Sequence, residues 1–108
     1  MLLRVQGRDI ITSGFLDSGN LLRDMLGRPV HICEKEVLGG ACEGLEMMEV
    51  EYRALSGSGR IKVICGDRLL VPELNVDVEK PVIGIAEEGL FKDGRCHILL
   101  NGVLGEGR

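Results

Sequence analysis

Gly14-Phe15-Leu16-Asp17-Ser18-Gly19-Asn20 is the stretch on which the reading of this chain turns. Two apolar residues run straight into an aspartate, and Ser-Gly-Asn follows at once. The apolar pair has the character of a strand, and Asp-Ser-Gly-Asn that of the turn that closes it. A carboxylate at a strand end beside a buried core is costly unless it has partners or a use. Taken alone the motif is cheap: average residue usage yields an Asp-[Ser/Thr]-Gly in about one chain of this size in twenty. Its surroundings decide between turn and site.

Upstream, Leu3 to Gln6 alternates apolar and polar, Gly7-Arg8-Asp9 reads as a turn, and Ile10 to Leu16 reads as one strand delivering Asp17. Downstream, residues 21–27 form a loop with a turn at Leu26-Gly27-Arg28, and Pro29 opens a strand from Val30 to Cys33. Glu34 to Leu38 is one helical turn stopped by Gly39-Gly40. Glu49 to Leu55 and Arg60 to Cys65 are strands on either side of Ser56-Gly57-Ser58-Gly59, whose small residues predict a pliant hairpin tip. Gly66-Asp67-Arg68 turns again, Leu69 to Val71 extends, and Pro72 marks an edge or a break. Val76 and Val78 alternate with Asp77 and Glu79, and Pro81 to Ile85 is an apolar run. Ala86 to Phe91 reads as a short helix, Lys92-Asp93-Gly94 as a turn, and His97 to Leu104 as the last strand. Val5 to Ile10 and Ile64 to Leu69 share a strand, Gly-charged-charged, strand pattern, so the chain reads as two similar halves.

These short strands predict an all-β fold. At 108 residues, 44% hydrophobic and 28% charged, residues 1–108 make one globular domain. Phe15, Tyr52 and Phe91 are the only aromatics, so Leu, Ile, Val and Met must build the core. A net charge of -4 gives no footprint for nucleic acid. No apolar run approaches the roughly 20 residues that span a bilayer. Met1-Leu2-Leu3-Arg4 lacks the apolar core of a signal peptide, so the piece reads as soluble. Cys33, Cys42, Cys65 and Cys96 form no C-x-x-C pair, and His31 and His97 complete no zinc spacing. No metal or cofactor is expected, and the thiols read as reduced core residues. Glu34, Glu36, Glu43, Glu46, Glu49 and Glu51, against Lys35, read as a solvated acidic face. Cys96 and His97 are neighbours on a strand and point to opposite faces, which argues against a nucleophile–base pair. Met47-Met48 reads as packing.

Peptide hydrolysis by carboxylates explains the residue types around Asp17. Two carboxylates share one proton, one acting as base for a water and the other as acid. The Ser18 hydroxyl is suited to bond across to the opposing loop, and Gly19 lets backbone N–H approach the carboxylate. The chain carries one such motif. If Asp17 is catalytic, its partner is Asp17 of a second copy across a two-fold axis.

The order hairpin, apolar strand, Asp-Ser-Gly, Gly-rich hairpin, Val-Ile-Gly, short helix and last strand resembles the retropepsin-like peptidases. More closely, Phe15 to Asp24 with Gly27-Arg28-Pro29-Val30, and Val82 to Ile85 with Ala86-Glu87-Glu88, is similar to the sporulation sigma-E factor-processing peptidase family. The resemblance implies a retropepsin-like half-barrel with one short C-terminal helix, working as a two-fold homodimeric aspartic endopeptidase. It implies Asp17 as the catalytic carboxylate, with Ser18 and Gly19 completing its loop and Val82, Ile83 and Gly84 packing beneath. Leu55, Ser56, Gly57, Ser58, Gly59 and Arg60 become the flap over the substrate. The substrate implied is the sigma-E precursor, which loses its pro-sequence. Members of that family act at the cytoplasmic face of the mother-cell membrane, through a membrane region missing here and a signalling protein that triggers them. Ile85 stands where retroviral relatives place an arginine that ties their dimer. The competing reading is a non-catalytic dimeric domain of the same fold that binds a protein.

Overall fold

A computed structural model of the chain describes residues 1–54, 57–87 and 96–105, with side chains at 53, 54 and 57 left aside. The fold is all-β, with one short α-helix among the described residues. The strands are β1 (Leu2–Val5), β2 (Arg8–Ile11), β3 (Gly14–Asp17), β4 (Val30–Glu34), β5 (Met48–Ala54), β6 (Gly57–Cys65), β7 (Arg68–Val71), β8 (Val76–Glu79), β9 (Val82–Ala86) and β10 (Ile98–Asn101). The helix α1 (Lys35–Leu38) follows β4.

Two sheets form. The smaller runs β2-β1-β7-β8 and is antiparallel throughout. The larger runs β3-β10-β4-β9-β6-β5 and mixes parallel with antiparallel pairs. Period-2 alternation explains what lies between them. Leu3 and Val5 from β1, Leu69 and Val71 from β7, and Ile64, Ile83, Ile98 and Leu100 from the larger sheet share one buried cluster. Their strand neighbours Val63 and Val82 join Val30 and Val50 in a second cluster, with Leu22 and Ile61 packed on it. β4 and β9 are thus buried on both faces, as is β6 at Val63 and Ile64.

Several sequence expectations change at the sheet boundaries. Ile10 to Leu16 is not one strand. β2 belongs to the smaller sheet and β3 to the larger, and the chain turns the corner at Thr12-Ser13, where Thr12 and Met1 exchange backbone hydrogen bonds. The first hairpin turns at Gln6-Gly7 and not at Gly7-Arg8-Asp9. Both residues have positive φ, 49° and 75°, which suits the right-handed twist of a two-residue hairpin. The similar segment at Gly66-Asp67 is no hairpin: there β6 leaves the larger sheet and β7 enters the smaller. The two turns meet, with Gly7 N–H donating to Asp67 Oδ2 at 2.8 Å and Asp67 N–H to the Arg4 carbonyl at 2.8 Å.

Pro72 starts a 3₁₀ turn between β7 and β8, where its missing N–H costs nothing. Of the expected helix at residues 86–91, Ala86 ends β9, Glu87 is a bend, and the rest lies outside the described residues. The last strand stops at Asn101, and Gly102–Gly105 coils into a 3₁₀ turn.

Candidate active site

Asp17 is the last residue of β3, which pairs in parallel with β10 so that Asp17 stands opposite Asn101. Its side chain is half-buried. Gly19 N–H donates to Asp17 Oδ1 at 2.9 Å, and Asn20 N–H donates to the Asp17 carbonyl at 2.9 Å. The turn therefore closes on its own aspartate, which points one oxygen at a backbone N–H. A Cβ on Gly19 would sit 3.2 Å from that oxygen, so a larger residue would press on the carboxylate.

A buried polar lattice seats this turn. The amide of Asn20 enters between β4 and β10, donating to the Val30 carbonyl at 3.1 Å and the Leu99 carbonyl at 3.4 Å. Its Oδ1 accepts the Leu22 N–H at 3.2 Å. Asn101, 1% exposed, donates its amide to the Leu22 carbonyl at 2.8 Å and accepts the Val103 N–H at 3.0 Å. The Asn101 N–H donates to His31 Nδ1 at 2.9 Å. His31 is buried, and desolvation pushes its pKa down to about 4, so the imidazole is neutral and free to accept. Gly102 N–H donates to the Asn20 carbonyl at 2.8 Å, and a Cβ there would lie 3.1 Å from both Cα and the carbonyl oxygen of Ser18. Gly102 is the seat on which the turn rests.

Above the turn opens a cleft of about 970 Å³. Asp17, Gly19 and Asn20 form one wall with Leu21, Leu22 and Arg23, while Ile32, Ile85 and Ala86 line its middle. The β5–β6 hairpin supplies the facing wall with Glu49, Glu51, Tyr52, Arg60, Ile61 and Lys62. Glu49 stands opposite Lys62 and Glu51 opposite Arg60, so charges alternate across the hairpin and leave that wall near neutral. Tyr52 stands opposite Gly59, where any Cβ would meet its Oη at 2.7 Å. A glycine there lets the phenol lie flat across the hairpin. The arrangement is a cleft with aliphatic residues in its lining, mixed charges from Arg23, Glu49, Glu51, Arg60, Lys62 and Glu87, and Asp17 on the wall formed by the turn.

Known protein families, curated proteins and solved structures offer no match to this chain.

The residues singled out by sequence fall in three places. Asp17, Ser18 and Gly19 form the turn, with Ser18 and Gly19 exposed. Val82, Ile83 and Gly84 lie in β9, with β10 and β4 between them and β3. Val82 packs with Val30 and Val63 and Ile83 in the main core, while Gly84 makes room for Ile61. The groups placed directly against the turn are Asn20 and Gly102, with Asn101 behind them. Gly57, Ser58, Gly59 and Arg60 belong to β6 of the hairpin, and Leu55 and Ser56 lie outside the described residues.

Asn101, Gly102, His31 and Tyr52 escaped the sequence reading. A polar Asn101-Gly102 ending to an apolar strand, and a histidine set between Val30 and Ile32, were the available signals. Among the described residues no group of three or more His, Cys, Asp or Glu could hold a metal ion. All four cysteines are free. Cys96 Sγ donates to the Ile98 carbonyl at 3.1 Å, whereas the His97 ring meets Glu34 Oε1 at 3.0 Å through Nδ1. Each neighbour thus has its own partner. No described helix is long and apolar enough to cross a membrane.

Proposed function

We propose that this chain is one half of a homodimeric, retropepsin-like aspartic endopeptidase, with Asp17 and its copy activating a water between them. The observation that carries the reading is the seating of Asp17: a half-buried carboxylate at a strand end, on a turn held by buried amides, at the wall of a peptide-sized cleft faced by a hairpin. Two such carboxylates brought together share one proton, because both cannot ionise at close range. One then takes a proton from water while the other donates to the scissile carbonyl oxygen, and the proton passes on to the leaving amine.

A second copy is supported by the edge position of β3 in the larger sheet. Phe15, on β3, is 54% exposed, and Leu21, just past the turn, is 65% exposed, so apolar surface lies on both sides of Asp17 in sequence. By family resemblance the substrate is the sigma-E precursor, cleaved at the cytoplasmic face of a membrane once a signalling partner acts through a membrane region.

Replacing Asp17 by Asn is expected to abolish precursor cleavage in co-expressing cells while leaving the melting temperature nearly unchanged. Cleavage that survives the replacement refutes the catalytic role. The protein-binding reading predicts intact association with the precursor and no cleavage by the parent chain.

A further inference from the structure

The ladder between β4 and β10 has two registered pairs, Cys33 with Ile98 and Ile32 with Leu99. Continued, it would set His31 opposite Leu100 and Val30 opposite Asn101. It opens instead, and the Asn20 amide fills the gap by donating to Val30 on one strand and Leu99 on the other. Beyond the gap the strands are rejoined by side chains. Asn101 Nδ2 reaches the Val30 carbonyl at 3.4 Å, and the Asn101 N–H, deprived of a ladder acceptor, donates to His31 Nδ1.

A β-strand position 2% exposed would ordinarily hold an aliphatic residue. An aliphatic side chain supplies no acceptor, and the buried Asn101 N–H would then be orphaned. Neutral imidazole supplies both bulk and a lone pair. We infer that His31 is a positioning residue for Asp17: its Nδ1 holds the Asn101 N–H where β4 and β10 part, and so keeps Gly102 beneath the Asp17-Ser18 turn. The catalytic consequence rests on the peptidase reading, whereas the hydrogen-bond chain does not.

The test compares His31→Leu with His31→Asn in the ¹⁵N-labelled chain, since Asn carries an acceptor oxygen on Cγ, where Nδ1 stands, and Leu does not. Gly19 N–H sits on the Asp17 carboxylate, so its resonance reports the turn directly. Leu is expected to speed exchange of the Asn101 amide by about tenfold or more relative to Ile64 and Ile83, and to move the Gly19 resonance. Asn restores both. With substrate, Leu lowers kcat by about 10- to 100-fold with little change in KM, and Asn recovers most of it. Unchanged Gly19 and Asn101 signals in Leu, or no recovery in Asn, overturn the inference.

Should the Leu variant fail to fold, the parent chain decides by its imidazole nitrogens. Nδ1 bare and Nε2 protonated between about pH 5 and 8 upholds the assignment, and a protonated Nδ1 in that range overturns it. The amide and imidazole readouts need no substrate, so a failed Asp17→Asn test leaves this one standing.

Discussion

Gly102→Ala measures how tightly the Asp17 turn is seated. The added Cβ would lie 3.1 Å from Ser18 Cα, 3.1 Å from the Ser18 carbonyl oxygen and 3.2 Å from the Asp17 carbonyl oxygen. All three are backbone atoms, so no side chain can rotate away. Optimal carbon contacts lie at about 3.5–4.0 Å, and relief requires the turn to move by a few tenths of an ångström. Overpacking of this kind costs about 1–3 kcal/mol. Gly102 is not among the positive-φ glycines, so alanine recovers about 0.4–1 kcal/mol by restricting the unfolded chain. The net expectation centres on about 1.3 kcal/mol of destabilisation, a fall in Tm of roughly 5–10 °C for a domain of this size. Gly105→Ala is the matched control in the same 3₁₀ turn. Its Cβ would meet Leu16 Cδ2 at 3.0 Å, the mobile end of a side chain, and a change within about 0.5 kcal/mol is expected. Calorimetry of the two variants decides. A Gly102→Ala chain that melts at or above the parent, or together with Gly105→Ala, refutes the seating.

Three further outcomes follow from other parts of the molecule. Burial lowers the His31 pKa from 6.5 to about 4, so between those values the unfolded chain binds a proton that the native chain refuses. That contribution is complete above about pH 6.5 and fades on acidification to about pH 4, about 3 kcal/mol in all. Urea unfolding across this range should show a steeper loss for the parent than for His31→Gln, and equal slopes would contradict it. The Asp24 carboxylate accepts the Leu26 and Arg28 N–H groups at 3.0 and 2.8 Å and Arg28 Nε at 2.7 Å, pinning the turn that presents Met25 and Leu26. Asp24→Ala should cost about 1–3 kcal/mol in denaturant unfolding, and an unchanged midpoint would show that clasp to be idle. Burial, with Glu34 nearby, pushes the Cys33 thiol up to about 12, while Cys65 is exposed. A thiol reagent on the native chain should modify Cys65 early and leave Cys33 until unfolding; early labelling of Cys33 would contradict its burial.

Much of the element pattern was legible locally. The alternation of Val76 to Glu79 matches β8 to the residue, and the apolar run before Ala86 becomes β9, buried on both faces. The helical turn expected at Glu34 to Leu38 appears as α1 from Lys35, and Gly39, with φ 53°, ends the α-helix although the chain coils on as a 3₁₀ turn over Gly39–Cys42. The break at Thr12-Ser13 was only faintly legible. Ser13-Gly14 is a weak turn signal inside an otherwise strand-forming run from Ile10 to Leu16, and the choice of different sheet partners for β2 and β3 is what divides it. The early stop of β10 has the same origin. Gly102 leaves the strand because the turn at Ser18, far away in sequence, lies against it.

The sequence by itself determined an all-β chain, its main turns, and the placing of Asp17 at a strand end, because alternation and turn chemistry act between near neighbours. Only the tertiary structure decided what holds Asp17 there. Asn20, His31, Asn101 and Gly102 come together across separations of 70 residues and more, at a gap in a ladder that exists only once β4 and β10 have paired. A buried donor takes whichever acceptor the folded strands bring to it, and residue-by-residue propensity carries no record of that choice.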